Sequence, residues 1–317
     1  MNNVELSMAR LIHAAVTSGH GLGWRQSIAS DIGAQAELLW KTYALQSTVY
    51  ERSTSAFWRN QLIRLSPTDR FEKMDPSERR ALTYHLGITM AVAWSRKVLR
   101  IPWLLHLDVY QQQLNVNLQP GNSRPDLVGQ HINGSWAVFE AKGRSSAPGS
   151  AAETKAKTQS RRVVDIGGVA PASCFAFFSY FGIDRSAVGR RKPKVVHLRV
   201  IDPKPESAGD NEIRLPLLTT DRFFHLYYQP WKRLFNAGGV TESDGTFVWR
   251  KLVDLDFRIG MLADLRYLVE LELYDQIPEM IRRITSREDF NDRFPDWAGD
   301  GLVIEPGETW KKLWHEK

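Results

Sequence analysis

Apolar residues recur at helical spacing from Asp31 to Tyr50, and the pattern predicts a largely helical stretch over residues 1 to about 70. A boundary follows in "SPTDRFEKMDPSERR", where Asp75 is a good N-cap, Pro76 suits the first helical position and Glu78 falls in the first turn. A helix should run from there to about Lys97. The pattern then shortens to strand period: Ile101 to Tyr110, a further segment at Leu114 to Leu118, and Asp126 to Val128. "HING", His131 to Gly134, reads as a hairpin turn because of its Asn-Gly pair, and Trp136 to Lys142 reads as the returning strand.

A loop rich in Ser and Gly leads to a helix over Ala151 to Ile166, which Gly167-Gly168 should end. "SCFAFFSYF", Ser173 to Phe181, is almost wholly apolar, as a central buried strand should be, and Val195 to Ile201 is another strand. "DPKPESAGDNE" reads as a linker. The order is helix, two or three strands, helix, strand, strand. It predicts an α/β core over residues 76–205 between a helical N-terminal region (1–75) and a mostly helical, aromatic-rich C-terminal region (206–317). "DRFFHLYYQPWKRLF", Asp221 to Phe235, offers rings on which bases could stack, but helical core is the stronger expectation.

Composition changes this picture little. Of 317 residues, 43% are hydrophobic and 25% charged, as in a globular protein, and no apolar run approaches the ~20 residues of a membrane span. The N-terminus makes a poor secretory signal, and the single Cys174 rules out an internal disulfide or a cysteine-based zinc site. These features point to a cytoplasmic protein with no membrane partner, and place Cys174 as a buried, inert thiol. His131 and His197 read as structural. No GxGxxG, P-loop, GxSxG or HExxH pattern is present in a fitting context.

Charge matters more. The net charge is +6, and it is clustered. Lys142 to Arg162 holds six basic residues (Lys142, Arg144, Lys155, Lys157, Arg161, Arg162) against Glu153, and Arg185 to Lys194 holds five (Arg185, Arg190, Arg191, Lys192, Lys194) with no acid. Either cluster alone is an ordinary solvated surface; together, flanking the same strands, they suit a polyanionic backbone.

Those strands carry the candidate chemistry. Residues two apart on a strand share a face, so Glu140 and Lys142 emerge side by side, and Asp126 at the start of the preceding strand can join them. Two adjacent carboxylates are unfavourable without a cation between them, and hard oxygen ligands favour Mg²⁺, with the Ala141 carbonyl a third ligand. Lys142 beside that cation should have a lowered pKa and stabilise charge on a phosphate. Two similar strings lack this context. Glu153-Thr154-Lys155 falls on the predicted helix, where residues two apart diverge, and Pro295-Asp296 is followed only by Glu308-Thr309-Trp310-Lys311, one residue too long.

Pro125-Asp126 followed by Glu140-Ala141-Lys142 at the end of an apolar strand resembles the PD-(D/E)XK nuclease superfamily. The resemblance covers the core and implies a restriction-endonuclease-like αβββαβ fold. It implies Asp126 and Glu140 as metal ligands with Mg²⁺ (Mn²⁺ an acceptable substitute), Lys142 as the catalytic lysine and Gln159, with Lys155 one turn away, as an accessory group. Members of the family often add an acid from the first core helix, and Ser77 to Lys97 offers only Glu78. The expected function is a metal-dependent nuclease, above all a DNA endonuclease of the restriction or defence type. Arg144, Lys155, Lys157, Arg161, Arg162, Arg190, Arg191 and Lys192 would contact nucleic acid, and a homodimer or partner protein would supply specificity or activation. The alternative is a non-catalytic nuclease-like module for nucleic-acid binding or assembly.

Overall fold

Asp75 does what its position in the sequence requires. Its carboxylate accepts hydrogen bonds from the backbone N–H groups of Ser77 (2.8 Å) and Glu78 (3.2 Å), and so starts the helix Pro76–Trp94 that backs the central sheet. The computed structural model describes residues 6–18, 31–53, 63–114, 124–185, 187, 192–202, 212–237, 241–287, 290, 293–294 and 297–315.

The N-terminal region contains helices α1 (Met8–Thr17), α2 (Asp31–Thr48) and α3 (Asp69–Lys73). It is not wholly helical, because β1 (Val49–Ser53) and β2 (Ile63–Pro67) pair antiparallel between them. Helix α4 (Pro76–Trp94) follows, then the strands β3 (Trp103–His106), β4 (Leu127–Gln130) and β5 (Trp136–Arg144). The predicted strand Ile101–Tyr110 is cut short: Leu107–Tyr110 turns into a helical segment, α5, whose first amide bonds back to the Asp126 carbonyl. Leu114 lies in a turn, and 115–118 fall outside the described residues.

Helix α6 (Ser150–Ser160) ends earlier than the apolar pattern suggested, giving way to β6 (Val163–Ile166). Then come β7 (Ser173–Ile183) and β8 (Lys194–Ile201). The mixed α/β core is therefore a five-stranded sheet in the order β3-β4-β5-β7-β8, antiparallel except for the parallel β5–β7 pair.

The two helices sandwich this sheet. Gly143 and Gly87 bring β5 and α4 into backbone contact, such that a Cβ on Gly143 would lie 1.5 Å from the Thr83 carbonyl oxygen. On the other face Ala156 of α6 packs against Ala176 and Phe178. Adjacent residues on a strand face opposite ways, so Gly143 against α4 sets Lys142 and Glu140 toward α6.

The C-terminal region departs most from expectation. Beyond β9 (Ile213–Leu215) and α7 (Thr220–Asn236), it carries a four-stranded antiparallel sheet: β10 (Thr241–Ser243), β11 (Phe247–Leu252), β12 (Phe257–Leu262) and β13 (Leu302–Pro306). Helices α8 (Ala263–Glu270), α9 (Ile277–Thr285) and α10 (Glu308–His315) accompany it. The aromatic face of α7 is buried: Phe223 packs on Trp136 and Phe224 on Trp103, while Trp103 Nε1 donates to Tyr228 Oη at 2.6 Å. These rings are core and leave nothing for bases to stack on. One cluster of buried apolar side chains links all three stretches, from Leu6 to Ile304.

Candidate active site

The site forms where β4 starts and β5 ends. Antiparallel pairing of Leu127 with Phe139 puts Asp126 beside Glu140 across the two strands, and the His131–Gly134 turn closes them as expected, with Gly134 at φ +87°. Asp126 Oδ2 accepts the Ala141 N–H at 2.8 Å. N–H and C=O of one strand residue project to the same edge, so the Ala141 carbonyl lies on the side of the Asp126 carboxylate. Pro125 has no N–H to claim it.

Glu140 is fully buried, with 0% of its surface exposed. Among the described residues its oxygens meet only the neighbouring site groups, the Lys142 ammonium as an ion pair at Oε1 and the Asp126 carboxyl, and neither contact is a well-aligned hydrogen bond. Burial, then the neighbouring Asp126 charge, pushes the Glu140 carboxyl up to about 8, and burial pushes Asp126 up to about 6 against the pull of Lys142. Burial works to lower the pKa of Lys142, but the Glu140 and Asp126 charges outweigh it and hold the ammonium above its ordinary value. The expected lowering is that of a lysine beside a bound cation; without one, the two acids draw their positive charge from Lys142.

Two acids that hold their protons this tightly lack a positive charge, and that is how the donor set fits a hard divalent cation. No three His, Cys, Asp or Glu side chains converge as a complete cage among the described residues, so the two carboxylates and the Ala141 carbonyl are the protein ligands on offer. Mg²⁺ commonly binds through one or two carboxylates and keeps several waters.

Of the other predicted site residues, the structure gathers some and scatters the rest. Gln159 is buried on α6, and with Lys155, Arg144, Lys142 and Phe178 it lines a pocket of ≈ 220 Å³ beside the carboxylates. Lys157 is on the same helix but does not line that pocket. Arg161 and Arg162 follow the last turn of α6, where the chain passes into β6. Arg161 there lies close enough to Cys174 to act on its thiol, and Arg162 accepts the Ile213 amide through its carbonyl at 2.6 Å. Neither lines the pocket beside the carboxylates. Lys192 lies beyond the end of β7 and donates to the Arg185 carbonyl at 3.0 Å; Arg190 and Arg191 lie outside the described residues.

Of the two control strings, one lies among the described residues. Glu153 is committed to Arg199 of β8 at 2.8 Å, away from any second carboxylate, while Pro295-Asp296 lies outside the described residues. Glu78 is exposed in the cap of α4 and takes no part in the site. Cys174 is only partly buried, but burial still raises its thiol to about 11, so it is inert.

Sequence reasoning missed three neighbours. Tyr84, on α4, lies near Asp126, Asp108 and Glu140; burial and then those charges raise its phenol, and its Oη is 3.4 Å from His106 Nε2. His106 is held neutral by burial, with its pKa lowered to about 4. Asp108 pairs with Arg124 and adds its charge to Asp126. A tyrosine in a helix and an aspartate in an apparent strand carry no local signal. Only the helical turn after β3 reveals where Asp108 points.

No family model matches the sequence, and neither a curated protein nor a solved structure does. No helix among the described residues is long and apolar enough to cross a membrane.

Proposed function

We propose that this protein is a Mg²⁺-dependent nuclease of the PD-(D/E)XK type, cleaving phosphodiester bonds of nucleic acid, DNA above all. The observation that carries the reading is Glu140: a fully buried carboxylate without a well-aligned hydrogen bond, next to a second acid and one lysine. A buried charge left in this state destabilises a fold, so its presence calls for a function. With the short helix α5 and the short strand β6 set aside, the elements about these residues run helix, three strands, helix, strand, the order a restriction-endonuclease-like core would have.

Asp126, Glu140 and the Ala141 carbonyl would hold the ion. When bound, Mg²⁺ supplies Lewis-acid polarisation of the phosphate and a more acidic water. Lys142, kept protonated by the acids beside it, offers its positive charge to the oxygens of the phosphate as they gain charge. Arg144 and Lys155 line the adjoining pocket and would hold flanking phosphates, and Gln159 would orient a water or a phosphate oxygen.

A second reading keeps the binding and drops the catalysis. It is favoured by the lack of a third carboxylate at the centre among the described residues. Cleavage of plasmid and single-stranded DNA with Mg²⁺ or Mn²⁺ separates the two. Under the nuclease reading, Asp126→Ala and Lys142→Ala each lose at least ~10³-fold in rate while still binding DNA. Equal cleavage by all three proteins would overturn the assignment. No cleavage with binding intact would favour the module, or a nuclease awaiting its partner protein.

A further inference from the structure

The pocket beside the carboxylates lies between β5, α6 and β7, which supply all of its lining: Lys142, Arg144, Ala152, Lys155, Gln159 and Phe178. Its volume of ≈ 220 Å³ is below the roughly 300 Å³ at which pockets for drug-sized ligands begin. A phosphate group suits it better than a whole nucleoside. Lys142 and Arg144 are two apart on β5 and share a face. Arg144 therefore lies one step of about 7 Å beyond Lys142 along the strand, away from Glu140.

The cations of this pocket are not equally engaged. Lys142 is tied to Glu140. Arg144 and Lys155 are exposed and form no ion pair or side-chain hydrogen bond among the described residues. Glu153, the one acid of α6, is held by Arg199 at 2.8 Å and does not neutralise them. Gln159 lines the same pocket at 6% exposure, and its Oε1 has no hydrogen-bond partner among the described residues. Exposed cations alone are ordinary solvated surface. A buried amide left open beside them costs stability until a ligand or water satisfies it.

We propose that this pocket receives the terminal phosphate of a nucleic-acid strand, a monoester, and so directs the carboxylate site to strand ends. The proposal rests on the nuclease reading and narrows its substrate. A phosphate monoester carries about −1.5 to −2 charges near neutral pH, whereas a diester within the chain carries one. Arg144 and Lys155 together match the monoester. The Gln159 amide donates through Nε2 to a phosphate oxygen and accepts through Oε1 from a water held with it.

Isothermal titration of the full chain with short oligothymidylates, in EDTA at pH 8, tests this. One probe carries a 5′-phosphate and a second a 3′-phosphate. The third is unphosphorylated but one nucleotide longer, so that all three hold the same number of phosphates. One or both phosphorylated probes should bind at least about tenfold tighter than the third, and the preferred end gives the strand direction at the site. Arg144→Gln combined with Lys155→Gln should abolish that preference and leave the melting temperature unchanged, since both side chains are exposed. Equal binding of all three probes would overturn the proposal, as would a preference that survives in the double variant. If metal-dependent cleavage of unphosphorylated linear DNA is then still lost in Asp126→Ala, the nuclease reading stands without the end pocket. Absence of both cleavage and oligonucleotide binding would remove the two together.

Discussion

Asp300 and Glu140 are both fully buried carboxylates facing a cation, yet their surroundings have little else in common. Asp300 accepts from Tyr227 Oη at 2.6 Å, from Arg96 Nη2 at 3.2 Å and from the Leu302 amide at 3.1 Å. His13 completes the cluster: its Nδ1 accepts from Arg96 at 3.1 Å, and its Nε2 faces Asp300 at 3.4 Å. Every charge there is answered by protein. Around Glu140 the protein supplies one ammonium and a second acid. The first cluster leaves only His13 Nε2 without a well-aligned hydrogen bond, and joins α1, α4, α7 and the start of β13. The second would be completed by the cation proposed for it. Satisfaction of hydrogen bonds, more than burial or charge, separates a structural ion cluster from a candidate site.

The sharpest way to break this comparison is to make the first cluster resemble the second. Asp300→Ala leaves the Arg96 guanidinium buried without its carboxylate, and should cost about 4 kcal/mol of stability. Denaturant melts would measure it. Cleavage per folded molecule should stay unchanged, because the cluster lies away from Asp126 and Glu140. A loss near zero would mean that water reaches Arg96 and the cluster is no lock.

How legible each cluster was follows from how its parts are spaced. Asp126, Glu140 and Lys142 lie within one hairpin, so strand alternation alone brings them together. His13, Arg96, Tyr227 and Asp300 meet only through tertiary packing, and nothing near any of them marks it as a partner. The helix-strand order of the core was readable for the same reason: its strands are apolar and its caps explicit. The C-terminal sheet was not. Its strands run from three to six residues, too short to tell from buried helix by periodicity, and Trp249 covers Gly260 across β11 and β12 where no sequence window shows both.

The two clusters should also respond oppositely to pH. Burial lowers the pKa of His13 to about 4, from 6.5 in an unfolded chain. The fold thus holds it neutral. Its contribution is complete above pH 6.5 and is lost as pH falls from 6.5 toward 4, amounting to about 3 kcal/mol. Stability curves of the wild type and His13→Gln should therefore converge across that window. Parallel curves would show that His13 does not titrate with unfolding.

Glu140 runs the other way, and the effect is smaller because Lys142 and Asp126 share it. Its carboxyl, raised from 4.5 to about 8, is favoured in the protonated form, so its contribution is complete below pH 4.5 and is lost as pH rises toward 8. Glutamine mimics the protonated acid. In EDTA at pH 8, Glu140→Gln should therefore be more stable than wild type, by about 2 kcal/mol, and the two should draw level near pH 5. A divalent cation supplies the missing charge to wild type alone, so added Mg²⁺ should close the gap at pH 8 and remove the loss of wild-type stability as pH rises. Thermal melts at both pH values, with and without Mg²⁺, read all of this without any substrate. A gap that persists in Mg²⁺ would mean the acids do not hold the ion. No gap at all would mean that water already solvates Glu140, and the contrast with Asp300 would lose its physical basis.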